Sequence, residues 1–169
     1  LWKTYERASE VSYVKPNLNA CDDTGIIINK NDLTLNHYLS KEQIVLKGCI
    51  FHDREYQSSK SDFVNKFDSD IIENLRSDLP SFEFCQTKKA VLKWAKSEKL
   101  KYLIFPYETV GNKYFMTSNF INELRNQNIE AIFYMRDWDK YAFPFASKGF
   151  FPFKKNIPDF VNPKMPYIK

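Results

Sequence analysis

The sequence predicts an α/β fold, a doubly wound, five-stranded, mostly parallel sheet with helices on both faces. Two observations carry this. Five short runs, at 25–28, 44–51, 81–85, 101–105 and 130–135, are dominated by apolar β-branched or aromatic residues. That is how strands buried on both faces read. From the second run onward a helical pattern separates each strand from the next, giving β, β-α-β-α-β-α-β. Such alternation builds parallel strands with helical crossovers. The chain has 169 residues, 43% of them hydrophobic, which suits one domain with a real core.

Each element has its own warrant. Residues 1–9 read as a short helix, followed by a Pro- and Asn-rich arm to residue 23. GIII opens the sheet. NKNDLTLNHYLS is polar at first and then briefly helical. IVLKGCIF is the second strand, and FHDREYQSSK a loop. SDFVNKFDSDIIENLRSDL is the clearest helix: Phe63, Phe67, Ile71, Leu75 and Leu79 recur every four residues with Val64 and Ile72 beside them, and Phe67, Ile71 and Leu75 are expected to be buried. Ser61 is its N-cap, Asp62 suits the first turn and Pro80 stops it. After the short strand SFEFC comes a helix capped by Thr87, with Val91, Leu92, Trp94 and Ala95 inward. KYLIF is the fourth strand and PYETVGNK a loop. A further helix turns Phe120, Ile121 and Leu124 inward, and EAIFYM is the fifth strand. The tail RDWDKYAFPFASKGFFPFKKNIP carries five Phe, three Pro and four Lys and is expected to be irregular. Its aromatics must lie on something: some are expected to cover the domain's own helices, and the rest, with Lys148, Lys154 and Lys155 at the rim, to form a docking patch for a second domain or subunit, the alternative being complete burial against the parent domain. The domain organisation expected is an arm over 1–23, an α/β domain over 24–136 and an aromatic-rich extension over 137–169 that packs on the domain.

Composition excludes several classes. Net charge is +4 with a pI near 8.8, too weakly basic to argue nucleic-acid binding alone. Cys21, Cys49 and Cys85 form neither a disulfide framework nor a zinc pattern, and a reducing cytoplasm fits them. No apolar run approaches the roughly 18 residues of a membrane span, so no membrane partner is expected. The chain begins with Leu1, which reads as a processed product or a piece of a longer protein. GxGxxG, P-loop and nucleophile-elbow motifs are absent. His37 and His52 read as surface or capping residues, and the D-x-D of Asp137 and Asp139 does not by itself make a metal site. No catalytic residue and no metal ligand is assigned.

In a doubly wound sheet, ligands collect at the carboxyl ends of the strands, at the switch point. Here that means the loops Asn29 to Leu35 and Tyr107 to Asn112. The candidate ligand-binding residues are Asn31 and Asp32 after strand one, Asp53 and Arg54 after strand two, Tyr107, Glu108, Gly111 and Asn112 after strand four, and Arg136 and Trp138 after strand five. Arginines pair with acids or phosphates and aromatics stack on flat rings. The competing reading of the same Asp and Asn is ordinary capping of exposed backbone donors.

GIIINKNDLTLNHYL resembles the first strand and following signature of the photolyase/cryptochrome N-terminal α/β domain. Asp32-Leu33-Thr34-Leu35 match its D-L-x-L part, with Thr34 where the family has arginine. IVLKGCIFHDREY is similar to the second strand and its D-P-R turn, through Asp53-Arg54 without the proline. SDFVNKFDSDIIENLRSDL, LIFPYETVGN and GFFPFKKNIP resemble the next helix, the fourth strand and loop, and the exit towards the flavin domain. The resemblance covers about 24 to 160. It implies a Rossmann-like sheet in the order 3-2-1-4-5 and a role as a chromophore- or nucleotide-binding accessory module, holding a folate or flavin-type antenna. It further implies a partner FAD-binding domain on the same or another chain, with DNA contacted only indirectly. FAD is not expected on this chain, nor dimer repair by it alone. The alternatives are a nucleotide-binding enzyme or sensor of the wider Rossmann-like group, and a docking module without ligand.

Overall fold

The computed structural model describes residues 23–40, 47–53, 61–107 and 118–160. They divide between two compact units, Leu1–Tyr134 and Met135–Lys169. The first unit holds strands β1 (Thr24–Asn29), β2 (Lys47–Phe51), β3 (Glu83–Cys85), β4 (Tyr102–Pro106) and β5 (Glu130–Tyr134). They form one five-stranded sheet, all parallel, in the order β3-β2-β1-β4-β5. Helices α1 (Leu35–Ser40), α2 (Asp62–Asp78), α3 (Lys88–Ser97) and α4 (Ser118–Arg125) lie between the strands in sequence. The α/β doubly wound fold is therefore the observed one.

Alternation along the strands separates two cores. Ile26 and Ile28 of β1 and Ile104 of β4 face Leu35 and Leu39 of α1, with Leu75 and Leu79 packed against them. Ile27, Cys49, Cys85, Phe105 and Phe133 point the other way, into Val91, Trp94, Phe120 and Leu124 of α3 and α4. Every residue of β1 is buried, which is why GIII carries no polar alternation. Gly48 is required by a close approach: a Cβ there would stand 2.1 Å from the Phe82 ring.

The helix caps follow the local chemistry of the sequence. The Ser61 side chain accepts from the Val64 N–H and that of Thr87 from the Ala90 N–H, satisfying donors that the first turn leaves open. The ends of α3 and α4 are alike. Lys99 and Asn128 take positive φ (56° and 57°), while the Leu100 and Ile129 N–H groups reach back to Ala95 O and Leu124 O, a left-handed cap that turns the chain into β4 and β5.

The inward face of α2 is not the expected one. Phe63 and Phe67 are 82% and 59% exposed, Ile71 and Leu75 are half-buried, and the buried residues are Asp68 and Ile72. The reason is geometric. At 3.6 residues per turn a repeat of four advances about 40° each step, so five such positions wind about 160° around the helix. The line that stays on the sheet is Asp68, Ile72, Leu75 and Leu79. Ile72→Ala is accordingly expected to cost about 2–5 kcal/mol in urea unfolding, and Phe67→Ala to stay within about 0.5 kcal/mol. Equal costs would contradict this orientation.

The second unit corrects the expectation of an irregular tail. It contains α5 (Asp137–Ala142), a 3-10 helix (Phe143–Lys148), α6 (Phe150–Lys154) and α7 (Ile157–Phe160). Its prolines do not break these helices, because Pro144, Pro152 and Pro158 each fall in a first turn, where the missing N–H has no intrahelical partner to lose. Gly149, at φ 88°, supplies the left-handed step between the 3-10 helix and α6. Phe160 is the centre of this unit. It is 2% exposed and meets the rings of Trp138, Tyr141, Phe145 and Phe153 at centroid distances of 6.1, 5.5, 5.3 and 5.3 Å.

Candidate functional site

All strands are parallel, so the segments leaving β1, β2 and β4 emerge at one edge of the sheet. β1 and β4 are hydrogen-bonded neighbours in its middle, and from them the chain winds to opposite sides. Between such a pair the following loops diverge and leave a crevice, the usual ligand position of this architecture.

The β1–α1 turn is the best-defined wall of this edge. Asn29, 3% exposed, ends β1. Its Oδ1 accepts from the Asn31 N–H at 2.9 Å, and its backbone O accepts from the Asp32 N–H at 3.0 Å. That bond fixes which way the amide points, because a flip would set two donors against each other. Asn29 Nδ2 is left buried without a partner, at a cost of about 1–3 kcal/mol until an acceptor completes it. Asp32 Oδ1 accepts from the Thr34 N–H at 3.1 Å, an Asx turn that starts α1. Asp32 thus has a local structural task alongside any ligand contact.

Lys30 follows directly. Its Nζ meets Asp68 Oδ2 of α2 at 2.6 Å, with side chains 22% and 10% exposed. The pair explains the aspartate on the inward line of α2 and ties that helix to the end of β1. A charge-assisted bond this sheltered from water is stronger than a surface pair.

At the end of β2, His52 is 8% exposed and its backbone N–H donates to Cys85 O at 2.9 Å. Of the surface or capping roles expected for it, the surface one is excluded: it is buried, because β2 continues its pairing with β3 one residue past the strand. His37 is exposed on α1. Asp53 is half-buried beyond His52. At the end of β4, Tyr107 is partly buried against the core, and its N–H donates to Tyr134 O at 2.9 Å.

Cys85 closes β3 at the same edge. A hydrogen bond between the Cys49 and Cys85 side chains, reinforced by burial, pushes the Cys49 thiol far up, and the same bond draws the Cys85 thiol down against its own desolvation. Both are free. The register pairs Cys49 with Glu83 and Phe51 with Cys85, so the two thiols are diagonal neighbours. Sheet dimensions put such α-carbons about 8 Å apart, beyond the reach of a relaxed disulfide.

Of the ten candidate residues, the structure brings Asn31, Asp32, Asp53 and Tyr107 to this edge. Arg54, Glu108, Gly111 and Asn112 lie outside the described residues. Arg136 and Trp138 belong to the second unit, where Trp138 packs on Phe160. Sequence reasoning placed Asn29 and Lys30 in the switch-point loop without singling them out, read His52 as a surface or capping residue, and missed Asp68. The signal for Asp68 was present, as a charge on the true inward line of α2. Among the described residues no group of three or more His, Cys, Asp or Glu is placed to hold a metal ion. What the edge offers is binding chemistry, namely a fixed amide donor, a paired ammonium and an aromatic side chain. Comparisons with protein families, curated proteins and solved structures return no match.

Proposed function

We propose that this chain is a photolyase/cryptochrome-like α/β domain that holds a chromophore or nucleotide at the carboxyl edge of its sheet, as an accessory module beside an FAD-binding domain on the same or another chain. One observation carries the reading. Asp32 and Asp53, two of the residues behind the resemblance, stand just past the ends of β1 and β2, on the edge where this architecture binds ligands. The strand order 3-2-1-4-5 is the one the resemblance implies. The unpartnered Asn29 Nδ2 suits a ligand that presents an acceptor oxygen, such as a flavin or folate carbonyl or a phosphate.

The test is a titration of the purified chain with a methenyl-folate, FMN, a deazaflavin and ATP, followed by fluorescence and calorimetry. Saturable binding of one of the three chromophores is expected. Asn31 is exposed at the edge, so Asn31→Trp should block that binding while changing unfolding free energy by no more than about 0.5 kcal/mol. Binding of ATP alone would replace the photolyase-like reading with a nucleotide-binding one. No binding of any of the four would remove both.

A further inference from the structure

The net charge of the chain is unevenly placed. Residues 1–134 hold eighteen Lys and Arg against eighteen Asp and Glu, and residues 135–169 hold seven against three, so the whole +4 lies in the second unit. The same unit exposes its aromatics. Phe150 and Phe151, at the start of α6, are 64% and 78% exposed. Lys154 and Lys155 follow one helical turn later and are exposed, the spacing at which side chains share a helix face. Among the described residues neither lysine has a carboxylate partner. Half-exposed Phe143 and Ile157 extend the apolar surface.

We propose that the second unit binds the surface of an anionic lipid bilayer, with Phe150 and Phe151 entering the acyl boundary and Lys154 and Lys155 at the lipid phosphates. Phenylalanine has no donor or acceptor to leave unpaired in hydrocarbon. The lysine stems can lie along the apolar layer while the ammonium groups reach the headgroups. Net positive charge supplies the attraction to an anionic leaflet. Single-stranded nucleic acid, the other polyanion that takes aromatic side chains, fits less well. Phe150 and Phe151 pack edge to face, at 68° and 5.7 Å, so they do not offer two parallel platforms for successive bases. The Asn156 amide, one of the unit's few base-reading groups, donates to Pro152 O instead. Among the described residues no helix is long and apolar enough to cross a membrane, so the contact is with the surface. The absence of a spanning run, which underlay the expectation of no membrane partner, does not bear on this kind of contact. The inference is independent of the ligand site on the first unit.

Vesicle co-sedimentation of the full chain tests it, with phosphatidylcholine alone, phosphatidylcholine carrying phosphatidylserine, and an oligo-thymidine strand as competitor. Binding is expected only to the anionic vesicles and should weaken as salt is raised. Joint Phe150→Ser and Phe151→Ser replacement should lower it about tenfold or more, with the circular dichroism spectrum unchanged. Lys154→Glu and Lys155→Glu should each lower it by about fivefold or more. No binding to anionic vesicles, binding that the Phe variant retains, or binding to oligo-thymidine in place of vesicles would overturn the proposal.

Discussion

Phe105→Ala is expected to cost about 3–5 kcal/mol of unfolding free energy. Phe105 is wholly buried on β4, a strand paired on both sides, by β1 and β5. Its ring stacks on Phe133 of β5 at 5.5 Å and 26° and receives the edge of Phe120 of α4 at 6.4 Å and 83°. It therefore joins two strands and a helix. Truncation removes the transfer free energy of a benzyl group and leaves a cavity that paired strands cannot close by moving. Against a typical domain stability of about 5–15 kcal/mol, this single change removes a large share of the margin. Phe105→Leu keeps most of the volume and should cost clearly less. Urea titrations of the three proteins give the comparison, and a loss below about 1 kcal/mol for the alanine variant would mean that the ring is not in the core. The same variant should weaken ligand binding, since β4 carries Tyr107 at its end.

The sheet was legible because strands buried on both faces leave an unambiguous trace. Gly25 to Ile28 and Tyr102 to Phe105 hold no charge because neither face of the sheet meets water there. Helix starts were equally plain, since Ser61 and Thr87 cap through chemistry contained within three residues. The face of α2 was not legible, because its apolar residues are more numerous than the sheet can cover. Phe63 and Phe67 compete in the pattern with Ile72, and only the tertiary position of β1, through Lys30 and Asp68, decides the rotation. The second unit was misread for a related reason. A proline weighs against helix in a sequence window, yet in a first turn it costs little, and the boundaries that make Pro144, Pro152 and Pro158 first-turn residues are visible only once the helices exist.

The candidate site was half legible. Strand ends point to Asn31, Asp32, Asp53 and Tyr107, because parallel topology alone gathers them. Asn29 was legible only as the first residue of the switch-point loop, and nothing marked it as the buried end of β1. Its importance comes from one hydrogen bond, from the Asn31 N–H, that fixes the carboxamide and leaves Nδ2 unanswered. No pattern of residue types announces such a bond.

Phe160→Ala should dissolve the packing of the second unit, at a local cost of about 3–5 kcal/mol. The unit is built from helices of four to six residues, each too short to persist in water alone. What holds them is the cluster around Phe160, the ring that Trp138, Tyr141, Phe145 and Phe153 all touch. Edge-on and tilted ring pairs add about 0.5–1.5 kcal/mol each beyond burial, so one truncation removes four such contacts together. Hydrogen exchange over residues 137–160 should lose its protection in the variant, and Trp138 emission should shift to the red as its ring gains water. Vesicle binding should fall as well, because Phe150 and Phe151 are presented on α6, and α6 keeps its place through Phe153. Phe160→Leu, which fills most of the space, should retain both protection and binding. If protection in the alanine variant matches that of the parent chain, the helices are held by something other than Phe160, and the account of this unit as an aromatic cluster with an exposed Phe-Lys face is wrong.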